Sequence, residues 1–270
     1  MACKDALKKR ARALDAANAA ARSIKHSRRN SAIRERLLFG VDTETQAYDM
    51  LQNNLTVFEW VDRNKIYPAF WGRYLTGENR LTGEEITFIH SMGCKIAALC
   101  QKEGEKLTEA QGEAFASDIC LQAAMLGVPA GAAIFLEIPT GEEASTAFMK
   151  GYAKELLFHG FVPGFKANTD AAVSFDREFS RGLQTDRNIF SRCLVWAMAP
   201  SLPEYERVTT THLVHPDRWM PYAPSGITRR DVAVWQYGRN CHPIENDDGD
   251  EVCFHVDLVR DTQIINQYMF

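Results

Sequence analysis

From residue 37 onward the chain reads as short apolar runs of β type separated by amphipathic stretches. The runs are "LLFGVD" (37–42), "YPAFWGRYL" (67–75), "CKIAALCQ" (94–101), "AAIFLEI" (132–138), "FVPGFKAN" (161–168), "RCLVWAMA" (192–199) and "VAVWQYG" (232–238), with "CFHVDLV" near the C-terminus. Each is nearly all apolar, as strands covered on both faces are. The stretches between them carry helix signals. In "LTGEEITFIHSMG" (81–93) Thr82 stands where it caps a first turn, Glu85 completes a capping box and Gly93 ends the helix. "LTEAQGEAFASDICLQAAMLG" (107–127) is likewise opened by Thr108 and closed by Gly127. Alternation of this kind predicts a parallel sheet, and seven or eight units predict an α/β fold of the (β/α)8 TIM-barrel type rather than an open sheet. The first 36 residues differ. Leu7, Ala11, Leu14, Ala17 and Ala21 keep a helical spacing, which predicts a helix over 4–25 with a thin apolar stripe. The chain therefore divides into an N-terminal helical extension (1–36) and a barrel domain (37–270).

Charge sharpens that division. Residues 1–36 hold 11 Lys and Arg against three acids, while the remaining 234 residues hold 20 basic and 32 acidic groups, so the formal net charge of −4 joins a basic arm to an acidic body. Such an arm suits an anionic partner, nucleic acid or anionic lipid, or else lies against its own domain. Hydrophobic residues make up 46% of the 270, ordinary for a globular protein, and no apolar run reaches the roughly 18 residues of a membrane span. The N-terminus does not resemble a secretory signal, so the expected location is cytoplasmic as synthesised, with a non-classical route if the protein is exported. Seven scattered cysteines favour free thiols; Cys241 and Cys253, flanking the turn signal "NDDG", are the one pair placed to bridge. No G-x-G-x-x-G follows a strand and no G-x-x-x-x-G-K-S/T occurs, so no cofactor is expected.

In a barrel of this type chemistry gathers where the strands end. Asp42 ends the first run, Arg73 sits near the end of the second, Gln101 closes the third, Glu137 the fourth, Asn168 follows the fifth, and Gln236 and Tyr237 end "VAVWQY". Asp257 lies in the last run. Two or three carboxylates converging on one cavity are what glycoside hydrolysis requires, one to protonate the leaving oxygen and another to act as nucleophile, base or cation stabiliser. An Asp after a strand also serves as a helix N-cap, and Arg73 also suits a structural ion pair. Trp71 and Trp235 suit a sugar-stacking platform or, more simply, the core.

The order "GVDTET", "PAFWGRYL", "LTGEEITFIHSMGCKIAALCQ", "DICLQAAMLGVPAGAAIFLEI" and "VAVWQY" followed by "VDL" resembles the glycoside-hydrolase-like domain of unknown function related to family 25 lysozymes, over about residues 37–260. The resemblance implies a (β/α)8-type barrel, a cell-wall glycan such as peptidoglycan as substrate, and Asp42 and Asp257 as the first-strand and late "VD" aspartates. One departure falls at the fourth strand. The lysozymes end it with Asp-x-Glu, whereas "LEIP" places Glu137 at the first acidic position and Pro139 at the second. Glu137 then takes the general-acid role with Asp42 as partner, or Glu142 or Glu143 reaches back, or the barrel binds glycan without cleaving it. The site expected is Glu137, Asp42 and Asp257 as catalytic groups, with Arg73, Gln101, Gln236 and Tyr237 as substrate contacts. A zinc site from Cys253, His255 and Asp257 with Cys241 and His242 is a weaker alternative, because the spacing matches no standard ligand pattern and no metal is expected.

Overall fold

The structure, a computed structural model, describes residues 37–63, 67–101, 104, 107–171, 173–201, 216, 218–245 and 251–270. The basic N-terminal helix expected over 4–25 lies outside the described residues. In chain order the elements are β1 (Leu38–Asp42), α1 (Val57–Arg63), β2 (Phe70–Tyr74), α2 (Gly83–Ser91), β3 (Lys95–Gln101), α3 (Glu109–Met125), β4 (Ala133–Glu137), α4 (Thr146–Phe158), β5 (Val162–Asn168), α5 (Ser174–Thr185), α6 (Arg187–Phe190), β6 (Leu194–Met198), β7 (Val232–Glu245), β8 (Glu251–Val259) and α7 (Thr262–Tyr268). The eight strands close into a barrel in sequence order, as the alternating pattern predicts.

Strands β1 to β7 run parallel, each to the next, but β8 runs antiparallel to both β7 and β1. The reason is the connection. β7 continues well past "VAVWQYG" and returns directly into β8, with Glu245 opposite Glu251, and a hairpin without a crossover helix can only make an antiparallel pair. The reversal sets the depth of Asp257. It pairs with Gly40, two residues below the end of β1, rather than with Asp42 itself.

Alternation along each strand builds two apolar layers. Phe70, Leu99, Phe135, Trp196, Val234 and Val259 fill the barrel interior. Val41, Trp71, Ile96, Ile134, Trp235 and Leu258 point outward beneath the helices. Large inner side chains are admitted by neighbouring glycines: a Cβ on Gly40 would lie 2.1 Å from the Phe70 ring, and one on Gly164 would lie 2.4 Å from the Phe135 ring. The helices start where their caps predict. The Thr82 side chain accepts from the Glu85 N–H, and Thr108 forms a complete capping box with Gln111. Gly93 and Gly127, just past the ends of α2 and α3, have φ of 79° and 72°, the left-handed conformation that glycine tolerates. Among the described residues no helix is long and apolar enough to cross a membrane.

Candidate functional site

The alternation that fills the barrel decides which polar residues reach its interior. Asp42, two residues beyond Gly40, points inward, as do Tyr74 beyond Phe70 and Gly72, Glu137 beyond Phe135, and Lys166 beyond Gly164. Gly72 makes the space: a Cβ there would lie 2.5 Å from the Asp42 Cβ.

These groups meet around one ammonium. Lys166 Nζ donates to Asp42 Oδ1 at 2.6 Å and contacts Glu137 Oε2 at 3.0 Å, with Lys166 and Asp42 fully buried and Glu137 14% exposed. The two contacting carboxylate oxygens therefore lie within about 5.6 Å of each other. The Tyr74 hydroxyl donates to the same Glu137 Oε2. Lys166 also lies 5.3 Å from the Trp196 ring centre and 5.9 Å from that of Tyr74, distances at which a cation is attracted to an aromatic face. Beneath Asp42, Trp196 Nε1 donates to Asp257 Oδ1 at 2.9 Å.

Burial and pairing set the charges. Burial works against an ionised Asp42, but Lys166 more than offsets it and holds the carboxyl below the ordinary aspartate range. Burial also disfavours a charged Lys166, and the attraction of Asp42 and Glu137 outweighs it, so the ammonium is held well above the ordinary lysine value. Burial pushes the Tyr74 hydroxyl well above its usual value, which leaves it a neutral donor. His255, opposite Asp42 on β8, is lowered by burial, and its Nδ1 accepts the Asn240 N–H at 2.9 Å.

Five of the seven expected residues face this interior. Besides Asp42, Glu137 and Asp257, Gln101 is the register partner of Glu137, and Gln236 that of Asp257. Gln236 is buried, and neither of its amide atoms has a partner among the described residues. Arg73 and Tyr237 are not brought to the site. Arg73 follows the inward-facing Gly72 and so points outward, where its Nε pairs with Glu85 at 2.8 Å with both side chains fully buried. It also donates to the Thr43 and Asn79 carbonyls, bracing from behind the loop that follows Asp42. Glu85 thus lends its side chain to Arg73 and the Ala47 N–H rather than to the second half of a capping box. Tyr237 follows the inward Gln236 and packs outward, its ring 6.2 Å from that of Trp235. Both tryptophans proposed as platforms, Trp71 and Trp235, are buried in the outer layer.

Two alternatives fail on register. Cys241 pairs with Phe254, so Cys253, one position along, projects from the other face of the hairpin; neither cysteine forms a disulfide. Cys241 is likewise turned away from His255 and Asp257. Among the described residues no three His, Cys, Asp or Glu side chains are grouped as a metal site would need. Among the described residues, the hydrogen bonds and ion pairs of Lys166 and Glu137 go to Asp42, to Tyr74 and to each other.

No family model matches the chain, and no curated protein matches it. Among solved structures, an uncharacterized B. stearothermophilus protein superposes with a TM-score of 0.69 at 26% identity, over 86% of this chain and 100% of that one. The modular autolysin LytC from Streptococcus pneumoniae, solved in complex with a synthetic peptidoglycan ligand, superposes at 0.49 and 12% identity, over 86% of this chain and 48% of that one. The catalytic domain of endolysin ply40 from bacteriophage P40 of Listeria monocytogenes superposes at 0.48 and 11% identity, over 87% and 98%. The first shares the fold, and the other two are too distant to carry an argument.

Proposed function

We propose that the protein is a glycoside hydrolase acting on a cell-wall type glycan, with its chemistry at the Glu137 end of the Lys166 cluster. One observation carries the reading: two carboxylates from β1 and β4 share a single ammonium at the C-terminal ends of the parallel strands, their oxygens within about 5.6 Å. That upper bound admits the roughly 5–5.5 Å separation of a retaining carboxylate pair and lies below the roughly 6.5–9.5 Å of an inverting one. Glu137 is the member with open surface and is the proton donor under this reading. Its Oε2 accepts from Lys166 and Tyr74, so Oε1 is the oxygen left to face a leaving group. Asp42, held ionised by Lys166, favours the positive charge that develops at the anomeric carbon. Lys166 contacts both groups, at 2.6 Å to Asp42 and 3.0 Å to Glu137, so its charge also supports the group that must stay anionic.

A second reading, a glycan-binding barrel without turnover, is favoured by the full burial of Asp42 and by Pro139 at the position where the lysozymes carry an acid. Incubation with peptidoglycan and with chitin oligomers, beside Glu137→Gln, separates the two. The hydrolase reading expects new reducing ends from the parent alone. Equal glycan binding by parent and variant, with no reducing ends from either, replaces it by the binding module.

A further inference from the structure

Two buried oxygens in the barrel are left over once the contacts of the Lys166 cluster are assigned. Asp42 uses Oδ1 for Lys166, and Asp257 uses Oδ1 for the Trp196 indole; Oδ2 of each is buried and accepts no hydrogen bond from a donor group. Both residues point inward from neighbouring antiparallel strands, with Asp257 opposite Gly40 and Asp42 opposite His255, so they are diagonal neighbours on one face of the pair. Two ionised carboxylates placed so inside a dry barrel would repel, and each bare oxygen would add a desolvation cost. A single proton between them removes both penalties. We propose that Asp257 is a neutral acid in the folded protein and donates its proton to Asp42 Oδ2, so that the two form a carboxyl–carboxylate pair.

This makes Asp257 a positioning residue. It lies too deep to touch a substrate, but the pair fixes Asp42, Asp42 fixes Lys166, and Lys166 fixes Glu137 at the mouth. The charged and titratable groups around the pair favour this placement of the proton. Lys166 from β5 reaches Asp42 directly; Glu137 from β4 contacts Lys166, Tyr74 from β2 donates to Glu137, His255 from β8 is the register partner of Asp42, and Arg239 lies on β7. The aspartate without the lysine contact is the one that keeps the proton. Burial and the Asp42 charge hold Asp257 well above the ordinary range, in agreement with the contacts. The inference does not depend on the hydrolase reading, because it concerns the resting protein.

Infrared spectroscopy of the parent at neutral pH tests it. A protonated-carboxyl carbonyl band is expected in Glu137→Gln, where any proton on residue 137 is gone, and is expected to vanish when Asp257→Asn is added. Absence of the band from Glu137→Gln, or its survival in the double variant, overturns the proposal. Thermal unfolding against pH gives a second readout that a purely structural role would not move. A folded acid that keeps its proton while the unfolded one releases it loses stability as pH rises above about 3.8. Asp257→Asn, whose amide can still donate to Asp42, should therefore gain steadily on the parent from there toward neutrality; parallel curves contradict the pair. If that variant does not fold, carbon-13 NMR of the aspartate-labelled parent still decides. One side-chain carboxyl should stay at the neutral-acid shift at pH 7, and the proposal falls if all are ionised.

Discussion

Replacing Lys166 by Met tests the electrostatic centre of the barrel at nearly constant volume. The change deletes the cation that Asp42 contacts at 2.6 Å and Glu137 at 3.0 Å, in a place where the lysine and Asp42 have no exposed surface. Breaking a buried ion pair by removing one partner costs about 3–5 kcal/mol, because the other charge stays buried without compensation. For a domain of this size each kcal/mol corresponds to roughly 2–4 °C of Tm, so Lys166→Met should melt about 6–20 °C below the parent at neutral pH. The penalty should also depend on pH. Asp42 is held below its ordinary value in the parent, so its pairing contributes stability above about 3.8 that fades as pH falls through the depressed value. The variant lacks that contribution, and the two melting curves should converge in acid. Differential scanning calorimetry from neutral to acidic pH measures both effects. A variant within about 2 °C of the parent at neutral pH would refute the claim that this ammonium compensates buried carboxylate charge.

Three further outcomes rest on other parts of the structure. Gly151→Ala would place a Cβ 2.0 Å from the Glu109 carbonyl oxygen where α4 crosses α3, a backbone contact that no rotamer relieves; denaturant unfolding should show a loss of about 1–3 kcal/mol or more. Gly72→Ala puts a methyl group 2.5 Å from the Asp42 Cβ, so any glycan turnover should fall by a larger factor than stability explains, read as kcat at a temperature well below the variant's Tm. His255, lowered by burial, stays neutral in the fold while the unfolded chain takes up a proton below about 6.5, so stability should decline as pH drops through that value. His255→Asn, which can keep an acceptor for the Asn240 N–H, should flatten that decline in urea titrations at several pH values.

Eight strands, their order and two helix caps were legible in the sequence because apolar runs, threonine starts and glycine stops are local signals. The turn signal "NDDG" between Cys241 and Cys253 marks the hairpin into β8 and so its antiparallel direction, but nothing local in "CFHVDLV" states that this strand also pairs with β1 and closes the barrel. Within the site, the carboxylates at strand ends were visible, but face was not assigned residue by residue. Arg73 adjoins Tyr74 and Gln236 adjoins Tyr237, and neighbours on a strand face opposite sides, so only one of each pair can reach the interior. Lys166 carries a signal of its own in the sequence. A lysine inside the apolar run "FVPGFKAN" must be paired if it is buried, and it stands two residues before Asn168 on the same face. What it pairs with depends on strands far apart in sequence, which no local pattern encodes.

The most direct test of the central claim is to locate the glycan. A crystal structure of Glu137→Gln grown with a chitin or peptidoglycan oligosaccharide should show sugar rings crossing the C-terminal ends of the parallel strands, with a glycosidic oxygen in hydrogen-bond reach of residue 137. Sugar bound elsewhere on the barrel, with residue 137 facing only protein, would contradict the assignment of this cluster to glycan chemistry.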